Sequence, residues 1–525
     1  MPPSGLQRPG VSRGEFATIS IALVVYLMLL VALIQRTGVT VDEPSHILSS
    51  ILYWEGNDRL LPRDLPPLIK IVAGRAAAGA GFPIVEEAHP VWQTRHEWMV
   101  SLDMMRRMNE DRIRDAMFQA RLPLLVFPLG TALLLWWWGR QLYSPLTGVV
   151  VALLFMLEPT ALGHAVLFKN DHASAFAFLL FWFVAWHYWR QPSLFLAAGL
   201  GLAAVLGLLA KLSMLILLPV LAVCIVARGR SDLRRAGQHL LIAAGLAYVV
   251  AIAACQLEVR WWGGFLPLPE QIAHGVGSLI GNVRSDNSVY FLGQRYSSGH
   301  RAYFVVATLV KAPEVLLLLL AAGVRFAPWL ALPPALYFAA ASLSALQFGF
   351  RLILPCLPMA LLVCGAALEH WRSRKWLAPA VLAAMALPVV LYYPFYISYF
   401  NVASGGPKQA LRYLSDSNVD WGQDIRQLRR WMHQHQIIRM GVSYMGGDNP
   451  LAYLRPDQMK WIEPPFNEKG RATLVYQPTP GLYAISANLV TGQFFDAAHR
   501  DFYKAFRGLT PIDYAGYSIY IFRIP

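Results

Sequence analysis

The feature that most constrains this chain is a repeated one. Between residues 17 and 399 it returns again and again to uncharged runs of Leu, Ala, Val and Phe. The blocks are about 17–25 residues long, the length of helix that crosses a bilayer. Eleven spans are expected, near 17–35, 117–138, 146–163, 172–189, 194–210, 212–227, 238–255, 303–323, 328–346, 352–369 and 377–399. Only 14% of the 525 residues are charged and 56% are hydrophobic, where a soluble protein averages about a quarter charged. Mean hydropathy is +0.42. The fold class expected is a polytopic α-helical membrane protein. The N-terminal run is too long for a signal h-region and no A-x-A site follows it, so it reads as an uncleaved first span.

The net charge of +14 fits Lys and Arg crowding the cytoplasmic loops. Nucleic-acid binding is disfavoured, because no basic soluble domain is there to carry it. With the N-terminus inside, the short inner loops hold Arg140, Arg190, "ARGRSDLRRAG", Arg325 and "EHWRSRKW". Residues 36–116, 257–302 and 400–525 then fall on the extracytoplasmic side. Cys224, Cys255, Cys356 and Cys364 all lie in apolar runs and read as small core residues. The domain organisation expected is a multi-span unit over 1–399 and a C-terminal extracytoplasmic α/β or α+β domain over 400–525. In the tail, "RATLVYQ", "GLYAISA" and "YSIYIFRI" alternate as strands do, and "IRQLRRWMHQHQ" has helical character. "LPPLIKIVAGRAAAG" is an amphipathic piece too short to span, suited to the interface.

Chemistry is expected where the charges break this pattern. "GVTVDEPSHILSS" places Asp42 and Glu43 where the first span ends. Either carboxylate could cap a helix that starts at Pro44. A carboxylate there could equally stay ionised and take a proton from an attacking hydroxyl. His46 lies on the same helix face as a polar neighbour. "HAVLFKNDHASAFAF" sets Lys169, Asp171 and His172 at the mouth of the fourth span, where Asp171 is either a cap or a second acid. Lys211 in "LLAKLSM", Lys311 in "YFVVATLVKAPEVLLLLL" and Arg351 in "FRLILPCLP" are cations at membrane depth, where each costs roughly 2.5–3.5 kcal/mol. Lys311 either pairs with Glu314 or, like Lys211, Arg351 and Lys70 in "DLPPLIK", holds an anionic group such as a phosphate. "DSNVDWGQD" offers Asp416, Asn418, Asp420, Trp421, Gln423 and Asp424, types that bind sugars. The same stretch could be a connector built on Asx-turns that docks the tail. No nucleotide-binding loop stands in a strand–helix context.

Several of these stretches resemble one family. "VDEPSH", "DLPPLIK", "KNDHASAF", "LLAKLSMLILLP", "YFVVATLVKAP", "FRLILPCLP" and, most specifically, "YFNVASGGPKQALRYLSDSNVDWGQDIRQL" are similar to the polyprenyl-phosphate-dependent glycosyltransferases of the GT-C fold. The likeness is to the protein O-mannosyltransferase and aminoarabinose transferase group (glycosyltransferase family 39-like) and covers most of the chain. It implies a bacterial cell-membrane enzyme with a lipid-linked sugar donor and a glycan, lipid or protein acceptor. It puts the general base on Asp42 and the second acidic site on Asp171, and implies inversion at the sugar. Some relatives bind a divalent metal near these acids, for which Asp171 and His172 are the residues at hand. One departure stands out: many relatives carry histidine before Pro-Pro-Leu, and this chain has Leu65. The rival class is a secondary transporter or lipid flippase, which also uses intramembrane charge. A third possibility, an inactive relative acting as a scaffold, is disfavoured by the presence of Asp42, Glu43 and Asp171. The acids at span ends, rather than at the midplane, favour the enzyme.

Overall fold

The computed structural model describes residues 10–525 except 58–64, 87–88, 95, 263, 285–286 and 467–474. Asp64 and the first four residues of "RATLVYQ" lie outside the described residues. The remainder of that run, 475–477, is not a strand.

Helices follow in chain order: α1 Arg13–Arg36, α2 Glu43–Trp54, α3 Leu68–Gly79, α4 Glu97–Arg106, α5 Glu110–Arg121, α6 Val126–Leu142, α7 Pro145–Met156, α8 Pro159–Ala165, α9 Asp171–Arg190, α10 Leu194–Ala210, α11 Leu217–Arg228 and α12 Leu233–Ala254. After them come α13 Glu270–Arg284, α14 Tyr303–Lys311, α15 Glu314–Phe326, α16 Pro328–Leu343, α17 Cys356–His370, α18 Leu377–Leu391 and α19 Ile425–Gln434. All eleven apolar runs are helical, whole or in pieces. Among the described residues, three helices are by themselves long and apolar enough to cross a membrane: α1, Glu110–Leu142 and α12. Two further runs are bent, by 63° between α7 and α8 and by 119° between α14 and α15. The span expected over 303–323 is therefore corrected. The chain breaks at Ala312–Pro313, where the proline cannot continue the ladder begun by α14.

The break is repaired from a distance. Three of the carbonyls that the end of α14 leaves over are taken by one residue. The Asn401 backbone N–H donates to Val310 O at 2.8 Å, and its Nδ2 donates to Leu309 O at 2.7 Å and Ala312 O at 2.9 Å. Helix ends need such partners, above all in lipid.

α3 is the expected amphipathic helix. It packs with α2, α4 and α5 into a second apolar core beside the main one. Two short hairpins, β1 Val259–Trp262 with β2 Leu266–Pro269 and β3 Val289–Phe291 with β4 Gln294–Tyr296, occupy the 257–302 loop. The tail forms one mixed sheet from β5 Met440–Ser443, β6 Met459–Trp461, β7 Gly481–Ser486, β8 Asp513–Ala515 and β9 Ile519–Ile524. Its order is β6-β5-β7-β9-β8. β5 runs parallel to β6 and β7, and the other pairs are antiparallel. Period-two alternation decides which face each residue covers. Tyr520 and Phe522 join the main core, while Ile519 and Ile521 pack with Leu428 and Met432 of α19. The tail therefore shares its core with the helical part.

Candidate active site

The chain leaving α1 is laid against the "DSNVDWGQD" stretch. Gly38 N donates to Gln423 O at 3.0 Å and Val41 N to Trp421 O at 2.8 Å. A Cβ on Gly38 would sit 2.5 Å from Gln423 O, so glycine is what lets the two backbones approach. Two motifs nearly 400 residues apart in sequence thus form one wall.

Glu43 is the staple of that wall. Its carboxylate takes Nε and Nη2 of Arg121 at 2.8 and 2.6 Å, both side chains being essentially fully buried. It also accepts Thr40 N at 2.8 Å, Thr40 Oγ1 at 3.1 Å and Phe168 N at 2.6 Å. Arg121 in turn donates to the carbonyls of Thr37 and Gly38 at 2.9 and 2.7 Å. A carboxylate so saturated has no oxygen to offer a substrate.

Asp42 is its opposite. It stands at the N-cap of α2, yet its side chain makes no capping hydrogen bond. One oxygen, Oδ2, accepts Lys169 Nζ at 2.9 Å and lies 3.6 Å from Arg351 Nη2, and 28% of the side chain is open. Burial pushes the Asp42 carboxyl up, but the charges of Lys169 and Arg351 outweigh it and hold the group well below the usual carboxylate range. Lys169 Nζ also meets His46 Nε2 at 2.6 Å. Burial first, then the Lys169 ammonium, keep His46 well below the usual imidazole range, so it serves as a neutral acceptor. The two cations share an aromatic floor. Lys169 Nζ is 5.5 Å and the Arg351 guanidinium 4.2 Å from the Trp421 ring. Arg351 Nε is fixed by Ser417 Oγ at 3.1 Å. A Cβ on Gly349, at φ +122°, would sit 2.2 Å from that hydroxyl.

Asp171 opens α9 close behind, with Oδ1 on Lys211 Nζ at 2.8 Å. Its Oδ2 is buried without a hydrogen-bond partner among the described residues. So are both ring nitrogens of His164, whose ring meets the edge of Trp421 at 5.7 Å.

Other expected residues stand elsewhere. Lys311 is fully buried, and its ammonium donates to three carbonyls, Ile397 O at 2.9 Å, Tyr399 O at 3.0 Å and Asn418 O at 2.8 Å. All three donors are spent, so neither Glu314 nor a phosphate is its partner. Glu314 instead accepts Ala403 N at 2.8 Å. Lys70 lies beside Tyr53, 5.9 Å from the ring, which is eleven residues and roughly 16 Å of helix rise from Asp42. His172 gives Nε2 to Ala161 O at 2.9 Å and does not face Asp42.

Of the sugar-binding candidates, Trp421 alone touches the site, and its ring is covered by the two cations. Asn418 donates to Tyr303 Oη and Ser415 O, both at 2.9 Å. Gln423 bonds Ser398, Val419 and the Trp421 N–H. Asp416 accepts Ser417 N at 2.6 Å, and Asp420 accepts Gly422 N at 3.0 Å and Asn488 N at 3.2 Å. Asp424 is packed against Gly516. Burial pushes Asp416 and Asp420 up to about 7, and raises Asp424 well above its ordinary value. The docking connector is the alternative this geometry follows.

No group of three or more His, Cys, Asp or Glu that could hold a metal occurs among the described residues. Asp171 and His172 diverge, one to Lys211 and the other to a backbone carbonyl, so the residues at hand do not fit a metal site. Lys169 and Arg121 are the participants that motif reading left without a role. Lys169 carried a signal, since a charge two residues before Asp171 in so apolar a chain asks for a partner.

No family model matches the chain, and no curated protein matches it. Among solved structures it is similar to ArnT from Cupriavidus metallidurans in the apo state, at 13% identity and TM-score 0.48, over 96% of this chain and 97% of that one. It is similar to the same protein bound to undecaprenyl phosphate at the same identity and TM-score, over 98% of each chain.

Proposed function

We propose that the chain is an integral-membrane glycosyltransferase. It moves a sugar from a polyprenyl-phosphate donor to an acceptor hydroxyl at the extracytoplasmic face, with Asp42 as general base. The observation that carries this reading is Asp42 itself: uncapped, partly open, and gripped on one oxygen by two cations. The acceptor oxygen attacks the anomeric carbon from the side opposite the phosphate. The carbon–oxygen bond to phosphate breaks, the polyprenyl phosphate leaves with the electron pair, and the hydroxyl proton passes to Asp42. The anomeric centre inverts.

Held by Lys169 and Arg351, Asp42 is a poor base, because the two cations stabilise its ionised form. A donor phosphate competes for the same two cations, and Arg351 is suited to bidentate phosphate binding. As they turn to the phosphate, Asp42 becomes more basic and the leaving group is stabilised. Lys211 stays with Asp171 as the second acidic site, positioned behind the first.

The test is transfer from a panel of polyprenyl-phosphate sugars, wild type against Asp42→Asn, with binding of undecaprenyl phosphate measured in parallel. Loss of turnover by at least about a hundredfold with binding retained is expected. Equal turnover would leave the enzyme and remove Asp42 as its base. One observation favours the rival transporter reading: the bends at α7–α8 and α14–α15 resemble discontinuous helices. Lipid flux across vesicles without any sugar transfer would establish that reading instead.

A further inference from the structure

The N-terminal ends of α10 and α12 flank a second polar site, at the membrane face opposite Asp42. α10 runs 17 residues from Leu194 to Ala210 beside Lys211, which places the two faces about 25 Å apart. A cavity of ≈ 470 Å³ opens there, lined by Ser193, Asp232, Arg234, Arg235, Gln238 and His239 together with Leu194.

Its polar groups are arranged for an anion. Two helix N-termini converge on it, those of α10 and α12. Their first free N–H groups are partly satisfied by Ser193 Oγ, which accepts Leu196 N at 3.2 Å, and by Asp232 Oδ1, which accepts Arg235 N at 3.0 Å. The one carboxylate on the wall is thereby engaged as a cap. Arg235 holds the rim by donating Nη2 to Pro192 O at 3.1 Å. Arg234 has no partner among the described residues, nor has the Gln238 amide. His239 is 2% exposed and hydrogen-bonds Tyr188 Oη through Nδ1 at 2.8 Å. Its Nε2 has no partner among the described residues. A buried imidazole with one free nitrogen, on a cavity wall that also carries an unpaired guanidinium, is polar capacity that nothing among the described residues uses.

Phe195 is 86% exposed, and Leu194, Leu233 and Leu241 are also exposed on the two helices that flank the cavity. A free anion has no use for such neighbours. An amphiphile has, because its acyl chains would lie along these side chains while its phosphate enters the cavity.

We propose that this cavity seats the phosphodiester headgroup of an anionic phospholipid from the leaflet opposite the candidate active site. Arg234, Gln238 and the free His239 nitrogen would contact the phosphate, and the exposed Leu and Phe side chains the acyl chains. The seat is independent of the glycosyltransferase reading.

The test titrates the full-length protein in neutral detergent with phosphatidylglycerol, phosphatidylcholine or inorganic phosphate, following the thermal unfolding midpoint. Arg234→Gln is compared with Arg230→Gln, which removes one arginine from the same basic loop but not from the cavity wall. Phosphatidylglycerol is expected to raise the midpoint of wild type and Arg230→Gln alike. Arg234→Gln is expected to weaken that response roughly tenfold in apparent affinity, and Gln238→Leu to weaken it less. Equal responses to the two lipids would overturn the proposal. So would equal losses in the two arginine variants, which would mark general attraction to a basic face. A response to inorganic phosphate as large as that to the lipid would show an anion site and overturn the lipid seat.

Discussion

Lys311 and Lys169 are both ammonium groups buried at or near the membrane boundary, and they are held in opposite ways. Lys311 ends α14 inside a cage of three fixed carbonyls. Lys169 rests on Asp42, a side chain with one oxygen engaged, and on a neutral imidazole. Carbonyls of the main chain cannot be exchanged for a ligand without unmaking the fold. A carboxylate at an open mouth can release its cation whenever a better anion arrives. Depth and charge alone do not distinguish a structural cation from a ligand-binding one; the exchangeability of the partner does. The adjacent carboxylates repeat the lesson. Glu43 is saturated by Arg121 and three other donors, while Asp42 keeps an open edge.

The largest expected effect falls on Glu43. Glu43→Gln leaves the Arg121 guanidinium buried without a counter-charge, at a cost of about 3–5 kcal/mol. Asp42→Asn removes a partly exposed partner and is expected to change the unfolding midpoint little. Equal destabilisation of the two variants in a thermal unfolding assay would erase the distinction between staple and base. The two lysines come next. Lys311→Met orphans three buried carbonyls and is expected to cost on the order of 3 kcal/mol, leaving undecaprenyl phosphate affinity of the folded fraction unchanged. Lys169→Met is expected to do the reverse, lowering that affinity about tenfold with little loss of stability. If Lys311→Met were the variant that lost affinity, the cage would be part of the site.

Much of this is legible in the sequence. A membrane protein, a run of apolar helices and a tail that holds strands and a helix follow from block length and period. The pairing of Asp171 with Lys211, 40 residues apart, is not, although both stand out in an apolar chain. Nor is the meeting of residues 37–41 with 421–423, because backbone pairing between distant loops leaves no periodic trace. The break at Ala312–Pro313 was hidden for a different reason. Hydropathy sees an apolar run on both sides of Pro313 and reports one span. The residue that makes the break tolerable, Asn401, lies some 90 positions away. "DSNVDWGQD" misled through composition, since side chains that bind sugars are also those that tie backbone turns. Only burial and partners separate the two uses.

The smallest effect, at the acid end of the range, comes from that connector. Burial raises Asp416 and Asp420 to about 7. A carboxyl raised in the folded state holds a proton that the unfolded chain has already lost near pH 4. Its contribution to stability is therefore full below that pH and declines as pH rises through 7, by up to about 1.4 kcal/mol per pH unit for each group. Asp42 titrates with the opposite sign and below the ordinary carboxylate range, so it adds nothing to a scan from pH 4.5 to 7, in which the difference between wild type and the variant reads Asp420. Asp420→Asn keeps one acceptor oxygen, for Gly422 N or Asn488 N, beside the Ser486 hydroxyl. Near pH 4.5 it is expected to unfold close to wild type, and toward pH 7 its midpoint is expected to fall less steeply. A variant whose midpoint tracks wild type in parallel across the scan would mean that Asp420 is ionised throughout. The connector would then be held by charge rather than by neutral hydrogen bonds, and its contrast with the charged mouth a few residues away at Trp421 would disappear.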